Sequence, residues 1–436
     1  MISLLVAQIF PVPGSLKRRT KRSASAKGDS MNARMTSRPA LFFLHKSSKW
    51  LLVSASLFAL LIVPGCANTK NDQSRLGEGP VNIARDENAD IIKLETLIRI
   101  SPPAHLVAWN PDGKHVAVTG ETPEISVWDI DKRQLVMSLR KARPGGHSAI
   151  AYSPDGRYLA SGESVISLWD AKTGTLLRNI VGPYIARPLR VGVQSISFSP
   201  DGDTVAVTYN PANRGFAVCL FESGSGKLIR SIESKGLTNT GVIFSKNGKQ
   251  LFGTRFYSTG ERDQKGVPVT YLVTNTELNV WDAISGQKKN TIKNIHVLSP
   301  WAFAASPDSK IFATGTWTGE VQSTRNRKTG VFHTIRNNDP IRLWDAKTGR
   351  LRRELPVSSP VLSLDFSPDG DLLVSCQWAA PATHDPIWLW RVNSGELIQK
   401  VKFPKNFNTP SCKFNPNGTR IAAAAGFDLA IYSVKR

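Results

Sequence analysis

Residues 150–171 read IAYSPDGRYLASGESVISLWDA. Alternating residues lead into Ser153-Pro154-Asp155-Gly156, small apolar residues follow, and the segment closes on Trp169-Asp170. Proline presets the first turn position while Asp and Gly tolerate the rest, so this tetrapeptide between two apolar runs predicts a tight reversal between strands.

Turns of the same kind recur at Asn110–Gly113, Ser199–Gly202, Ser245–Gly248, Ser306–Ser309, Ser367–Gly370 and Asn415–Gly418. Their central residues (112, 155, 201, 247, 308, 369, 417) step by 43, 46, 46, 61, 61 and 48. A second mark follows most of them: Val127-Trp128-Asp129, Leu168-Trp169-Asp170, Val280-Trp281-Asp282, Leu343-Trp344-Asp345 and Leu389-Trp390-Arg391, with weaker echoes at Leu220-Phe221-Glu222 and Ile431-Tyr432-Ser433. Another turn, such as Ala171–Gly174, and an alternating strand, such as Thr175–Val181, complete the unit. Each unit is therefore four short strands.

Four-stranded repeats of this length with a recurring Trp-Asp mark a propeller. The chain from Ile91 to Arg436 resembles a WD-repeat β-propeller, and the expected fold is all-β, with seven four-stranded antiparallel blades. After Asn417 only the second and third strands of a last blade have room. Ile91–Ile100 (IIKLETLIRI) precedes the first complete repeat and is expected to supply the missing outer strand, closing the ring.

The first ninety residues have another character. Lys46 and Lys49 precede an apolar run from Trp50 to Val63, which meets Pro64-Gly65-Cys66. A basic region and a short apolar stretch mark a secretory signal, since a spanning helix needs roughly twenty apolar residues. Val63–Cys66 resembles a bacterial lipobox, departing from it at Pro64, and the resemblance implies lipid attachment at Cys66. The alternative is an ordinary signal peptide or signal anchor. Residues 1–65 are thus expected to be a leader starting at Met31 or Met35, residues 66–90 a flexible polar tether, and residues 91–436 the propeller. The basic cluster Lys17–Arg22 is too close to an export signal to favour nucleic acid as partner.

The formal charge is +22; ten Lys/Arg and one Asp precede Cys66, leaving 46 Lys/Arg against 33 Asp/Glu, about +13. That excess favours anionic partners, although Lys288, Lys289, Arg352 and Arg353 fall on outer strands, where charge blunts edge pairing. Cys219, Cys376 and Cys412 fall in strands, are odd in number and show no C-x-x-C spacing, so buried free thiols are expected.

In the family, blades are often braced by a His, a Ser or Thr, the Trp and an Asp. Blade two offers His147, Ser161 and Trp169 but carries Glu163 at the Asp position, and no other blade has a Gly-His pair, so bracing is expected to be incomplete. The link from second to third strand is lengthened at about Ser258–Asn275 in blade four and Trp317–Asn338 in blade five, and less so at Asn210–Gly215 and Gln377–Asp385. The resemblance places these links on one face, where consecutive insertions form a raised rim. Insertions without regular structure are usually functional or disordered. The blade-five insertion carries Trp317, Arg325, Arg327, Phe332, His333 and Arg336, residue types enriched at binding hot spots. Trp378 and His384 extend that rim; Trp388 either joins it or packs between blades.

No catalytic motif appears. Gly224-Ser225-Gly226-Lys227 lacks the upstream Gly of a phosphate loop and has Leu228 where Ser or Thr is needed, so it is a strand-joining turn. H-E-x-x-H and G-x-S-x-G are absent, and the seven histidines show no metal-ligand spacing. No metal or cofactor is expected. The expected protein is an exported, lipid-anchored, monomeric, non-enzymatic interaction module of the bacterial envelope, on the periplasmic side, whose rim binds a protein or anionic envelope polymer. The alternative is an exported, hydrolase-like enzyme with a site in the central channel.

Overall fold

The computed structural model describes residues 90–140, 148–183, 192–210, 216–234, 238–262, 268–296, 300–316, 320–325, 332–337, 339–378, 385–404 and 411–435. The expected leader, Cys66 and nearly all of the expected tether lie outside them, as do His147, Trp317, Arg327 and His384.

The repeated turn owes its shape to its own side chains. Ser153 Oγ donates to Asp155 Oδ1 at 2.6 Å and accepts the Tyr158 N–H at 2.9 Å, while Asp155 accepts the Arg157 N–H at 3.0 Å. Gly156 sits at φ 71°, in the left-handed region that Gly enters without strain. The same bonds recur at Ser306–Asp308 and Ser367–Asp369. The Trp-Asp aspartate is a second turn cap: Asp345 accepts the N–H groups of Lys347 and Thr348 at 3.1 and 2.8 Å. The Thr348 N–H and the Arg352 guanidinium hold the Asp345 carboxyl well below the usual carboxylate range.

Each turn thereby joins the first two strands of an antiparallel sheet. Blade one runs Leu106–Trp109, His115–Thr119, Glu124–Asp129 and Gln134–Arg140; blade two runs Ala149–Tyr152, Tyr158–Gly162, Ile166–Asp170 and Leu176–Ile180. Blade three follows from Gly192 to Ser234 and blade four from Thr238 to Lys293. Blade five uses Pro300–Ala305, Ile311–Thr316, Ile341–Asp345 and Leu351–Leu355, and blade six Val361–Phe366, Leu372–Gln377, Ile387–Arg391 and Leu397–Val401. First strands touch in order from blade one to blade seven, and blade seven returns to blade one. The chain thus forms a seven-bladed ring.

Closure follows the expected route. Arg420–Val434 pairs with Ser411–Phe414 up to Ala424 and then, past Gly426 at φ 57°, with Ile92–Ala104. Its two halves act as second and third strands, and the leading segment is the outer one. Arg420 clamps the seam through Glu95 at 2.6 Å and Asp131 at 2.7 Å. The Gln399 amide, from blade six, accepts the Ile92 N–H and donates to the Ile92 carbonyl at 2.8 and 2.9 Å.

Apolar faces of neighbouring blades form the core, with Val193, Val207 and Cys219 among the buried residues between blades two and three and Val361, Leu373 and Trp390 among those between five and six. Side chains also stitch first strands together: Ser363 Oγ donates to the Cys412 carbonyl at 3.2 Å. Outer strands are largely exposed, as the Leu351–Leu355 strand with Arg352 and Arg353 shows. The cysteines differ from expectation. Cys376 and Cys412 form a disulfide between the second strand of blade six and the first of blade seven, and among the described residues Cys219 is buried outside any disulfide. Residues separated by 36 positions meet because consecutive blades stack.

Candidate functional site

The insertions leave the ring at the ends of second strands, and two of them are regular structure instead of irregular loops. In blade four the second and third strands continue as one hairpin, Gln250–Arg262 against Pro268–Asp282, pairing Ser258 with Val273 and Glu261 with Thr270 beyond a bulge at Arg255–Tyr257. In blade five a separate hairpin, Glu320–Arg325 with Phe332–Asn337, stands between the second and third strands. Backbone pairing satisfies the N–H and C=O groups that an irregular excursion would expose. Both hairpins depart from the same edge of adjacent blades.

Of the expected rim residues, Arg325, Phe332, His333 and Arg336 lie on the blade-five hairpin, with Arg325 paired to Phe332, His333 to Thr324 and Arg336 to Val321. Trp378 follows the second strand of blade six, half-buried, and donates its backbone N–H to the Pro360 carbonyl at 2.8 Å. Trp388 is buried in the blade-six core, with its ring centroid 5.6 Å from that of Trp390. It belongs to the packing, not to the rim.

A network missed by sequence reading holds the base of the blade-five hairpin. Trp344 Nε1–H donates to Thr314 Oγ1 at 2.9 Å, Thr314 donates to His296 Nε2 at 2.7 Å, and His296 Nδ1–H donates to Asp339 Oδ2 at 2.8 Å. Asp339 also takes Arg342 at 3.1 Å, and Arg342 reaches the Ile295 carbonyl at 3.0 Å and Glu354 at 2.8 Å. The four-residue brace is therefore complete in blade five, contrary to the expectation that only blade two approached it. Blade two keeps Trp169 to Ser161 at 3.1 Å, and blade six keeps Trp390 to Ser375 at 3.0 Å. In blade one Val118 takes the matching place, and Trp128 Nε1 has no partner among the described residues. Thr316 ends the strand before the hairpin and Asp339 follows it, so the network fixes where the hairpin leaves the ring.

Two cavities among the described residues lie on opposite faces of the ring. The larger, about 640 Å³, lies between blades one and two on the opposite face and is lined by Asp112, His115, Met137, Asp155 and Lys172 among others. Its carboxylates are engaged in turns: Asp112 holds His115 at 2.6 Å and two backbone N–H groups. The smaller, about 160 Å³, opens on the insertion-bearing edge of blade six and includes Trp378. On the first strands, Asp365 and Lys413 pair at 3.2 Å, and Asp365 accepts the Phe414 N–H at 2.8 Å. Burial pushes the Asp365 carboxyl up while Lys413 opposes the shift. Both groups serve to join blade six to blade seven. Among the described residues, no cluster of three or more His, Cys, Asp or Glu side chains is arranged to hold a metal ion.

Seven four-stranded blades with Asx-capped turns, four of them with Trp-Asp closing the third strand, define a seven-bladed β-propeller of the WD-repeat type. The model of the WD domain, G-beta repeat family matches residues 138–170 and 349–379, within blades one to two and five to six. An uncharacterised WD repeat-containing protein of Synechocystis sp. is 26% identical over 216 residues, covering 49% of this chain and 55% of the relative. Eukaryotic translation initiation factor 3 subunit I of Candida albicans is 25% identical over 159 residues, covering 32% of this chain and 45% of the relative. The chain thus spans about half the length of the curated relatives it matches. Propellers of this kind are typical protein-interaction modules.

Proposed function

We propose that this propeller is a non-enzymatic interaction module of the cell envelope. It binds its partner, a protein or an anionic polymer, through the face that bears the blade-four and blade-five hairpins. The single observation that carries this reading is the pair of neighbouring hairpins leaving one edge, one rooted in the Trp344–Thr314–His296–Asp339 network. A fold that needed only stability would not lengthen two adjacent links, since ring packing does not depend on them. The residue types on the blade-five hairpin suit a partner interface.

Export and a lipid anchor at Cys66 belong to the same proposal. Supporting them are the basic and apolar leader before Cys66 and the Cys376–Cys412 disulfide, a bond that persists mainly in oxidising compartments. Replacing Cys66 with Ser tests the anchor: the protein should move from the membrane fraction to the soluble one. Membrane retention of a cleaved Cys66→Ser chain would remove the anchor from the proposal. Partner capture with and without the hairpins tests the binding face.

A further inference from the structure

The cavity of about 160 Å³ at the insertion-bearing edge of blade six is built from Ser359, Gln377, Trp378, Asp385, Trp388 and Lys400 among its lining residues. Gln377 ends the second strand and is 2% exposed, yet its Nε2 has no acceptor among the described residues. Asp385 Oδ1 is buried and equally without a donor there. Burying an unmatched donor or acceptor is costly, and native structures rarely tolerate it without a reason. Blade four shows the alternative: Arg255, like Gln377 eight residues past the turn Asx, is matched by Glu277 at 2.7 Å.

The walls are fixed in advance. The Gln377 N–H donates to the Pro386 carbonyl at 2.8 Å, Trp388 Nε1–H donates to the Asp385 carbonyl at 2.6 Å, and Lys400 Nζ stands 4.1 Å over the Trp388 ring. One carboxylate and one ammonium line the cavity, which suits a neutral guest over a cationic one. A donor and an acceptor left unmatched in one cavity, among the described residues, complement the C=O and N–H of one residue of an extended chain, which point to the same side.

We propose that this cavity takes the main-chain N–H and C=O of one residue in an extended segment of a protein partner. The partner carbonyl accepts from Gln377 Nε2, the partner N–H donates to Asp385 Oδ1, and Trp378 covers the flanking atoms. The same fold already uses this pairing, since the Gln399 amide bonds both main-chain groups of Ile92. The assignment deepens the reading of this edge as the partner-binding face and rests on it.

The test uses the full chain labelled with 5-fluorotryptophan and titrated with N-acetylglycine N-methylamide, with the Trp378 and Trp388 resonances assigned from Trp→Phe variants. Both resonances should move saturably. N-acetylsarcosine N-methylamide, which lacks the N–H of the central residue, should bind roughly fivefold more weakly, as the loss of one hydrogen bond implies. Gln377→Met should weaken binding roughly fivefold while Tm stays level or rises, because an unmatched buried donor has been removed. Asp385→Ala should weaken it to a similar degree. Equal binding of the two amides, an undiminished response in Gln377→Met, or no saturable shift would each overturn the proposal. N-acetylglucosamine binding more tightly than N-acetylglycine N-methylamide would assign the cavity to a glycan and reject the peptide source. The titration needs no partner, so its failure is distinct from a failure of partner capture by the hairpin face.

Discussion

Asp339→Ala tests the brace at the root of the blade-five hairpin. The substitution removes the acceptor of the His296 Nδ1–H and one anchor of Arg342, whereas Arg342 keeps Glu354 and the Ile295 carbonyl. The His296 side chain is fully buried, so water cannot replace the lost acceptor. A buried group left unmatched costs about 1–3 kcal/mol, and the partial loss of a charged contact places this case near about 3 kcal/mol. At about 2 °C per kcal/mol for a chain this long, Tm should fall by about 6 °C. Asp339→Asn, which still accepts from His296, should lose less than half of that. Thr314→Ala should be strongly non-additive with Asp339→Ala, because both break one chain of bonds running from Trp344. Calorimetry supplies Tm, and hydrogen exchange along Ile311–Thr316 and Ile341–Asp345 should report opening local to blade five. A Tm change under about 1 °C, or simple additivity of the two alanine variants, would refute a cooperative brace.

Three further outcomes are expected. A Cβ at Gly315 would lie 2.7 Å from Val361 Cβ, in a buried contact between blades five and six. Gly315→Ala should therefore cost about 1–3 kcal/mol by overpacking, measured by chemical denaturation, and a neutral result would contradict the closeness of that contact. Cys412→Ala should cost about 4 kcal/mol by releasing a loop of 36 residues. Thiol titration of the denatured, unreduced protein should leave Cys376 and Cys412 unreactive, and titration of both would show the bond absent. Cys66→Ser should leave the thermal transition unchanged while releasing the protein from membranes, as judged by fractionation.

Fold legibility rested on local chemistry. The Ser-Pro-Asp-Gly turns are written in four consecutive residues whose own side chains close them, so their count gave the number of blades. Ile91–Ile100 was readable as the closing strand because the last repeat visibly lacked one. The blade-five brace was not readable. Asn294 at φ 56° stands two residues before His296 instead of a Gly-His pair, and Asp339 lies beyond the hairpin insertion, so sequence spacing separated what the fold joins. The Cys376–Cys412 bond was hidden for a related reason: it crosses from one blade to the next, and an odd cysteine count pointed away from pairing. Hairpin pairing in the insertions was missed because Gly260 and Gly266 interrupt blade four and Gly319 and Gly330 interrupt blade five, which reads as irregular chain. Gln377 and Asp385 carried no signal, since only the folded surroundings show that Gln377 Nε2 and Asp385 Oδ1 lack partners among the described residues.

The most direct measurement compares material captured from native envelope extract by the full chain and by a variant lacking Ser258–Asn275 and residues 317–337, with the bound species identified by mass spectrometry. The deletion keeps Asp339 and the brace, so its thermal transition should stay close to that of the parent. The account predicts a partner captured by the parent and lost from the variant. Undiminished capture by a folded variant would contradict the hairpin-bearing face as the site of binding.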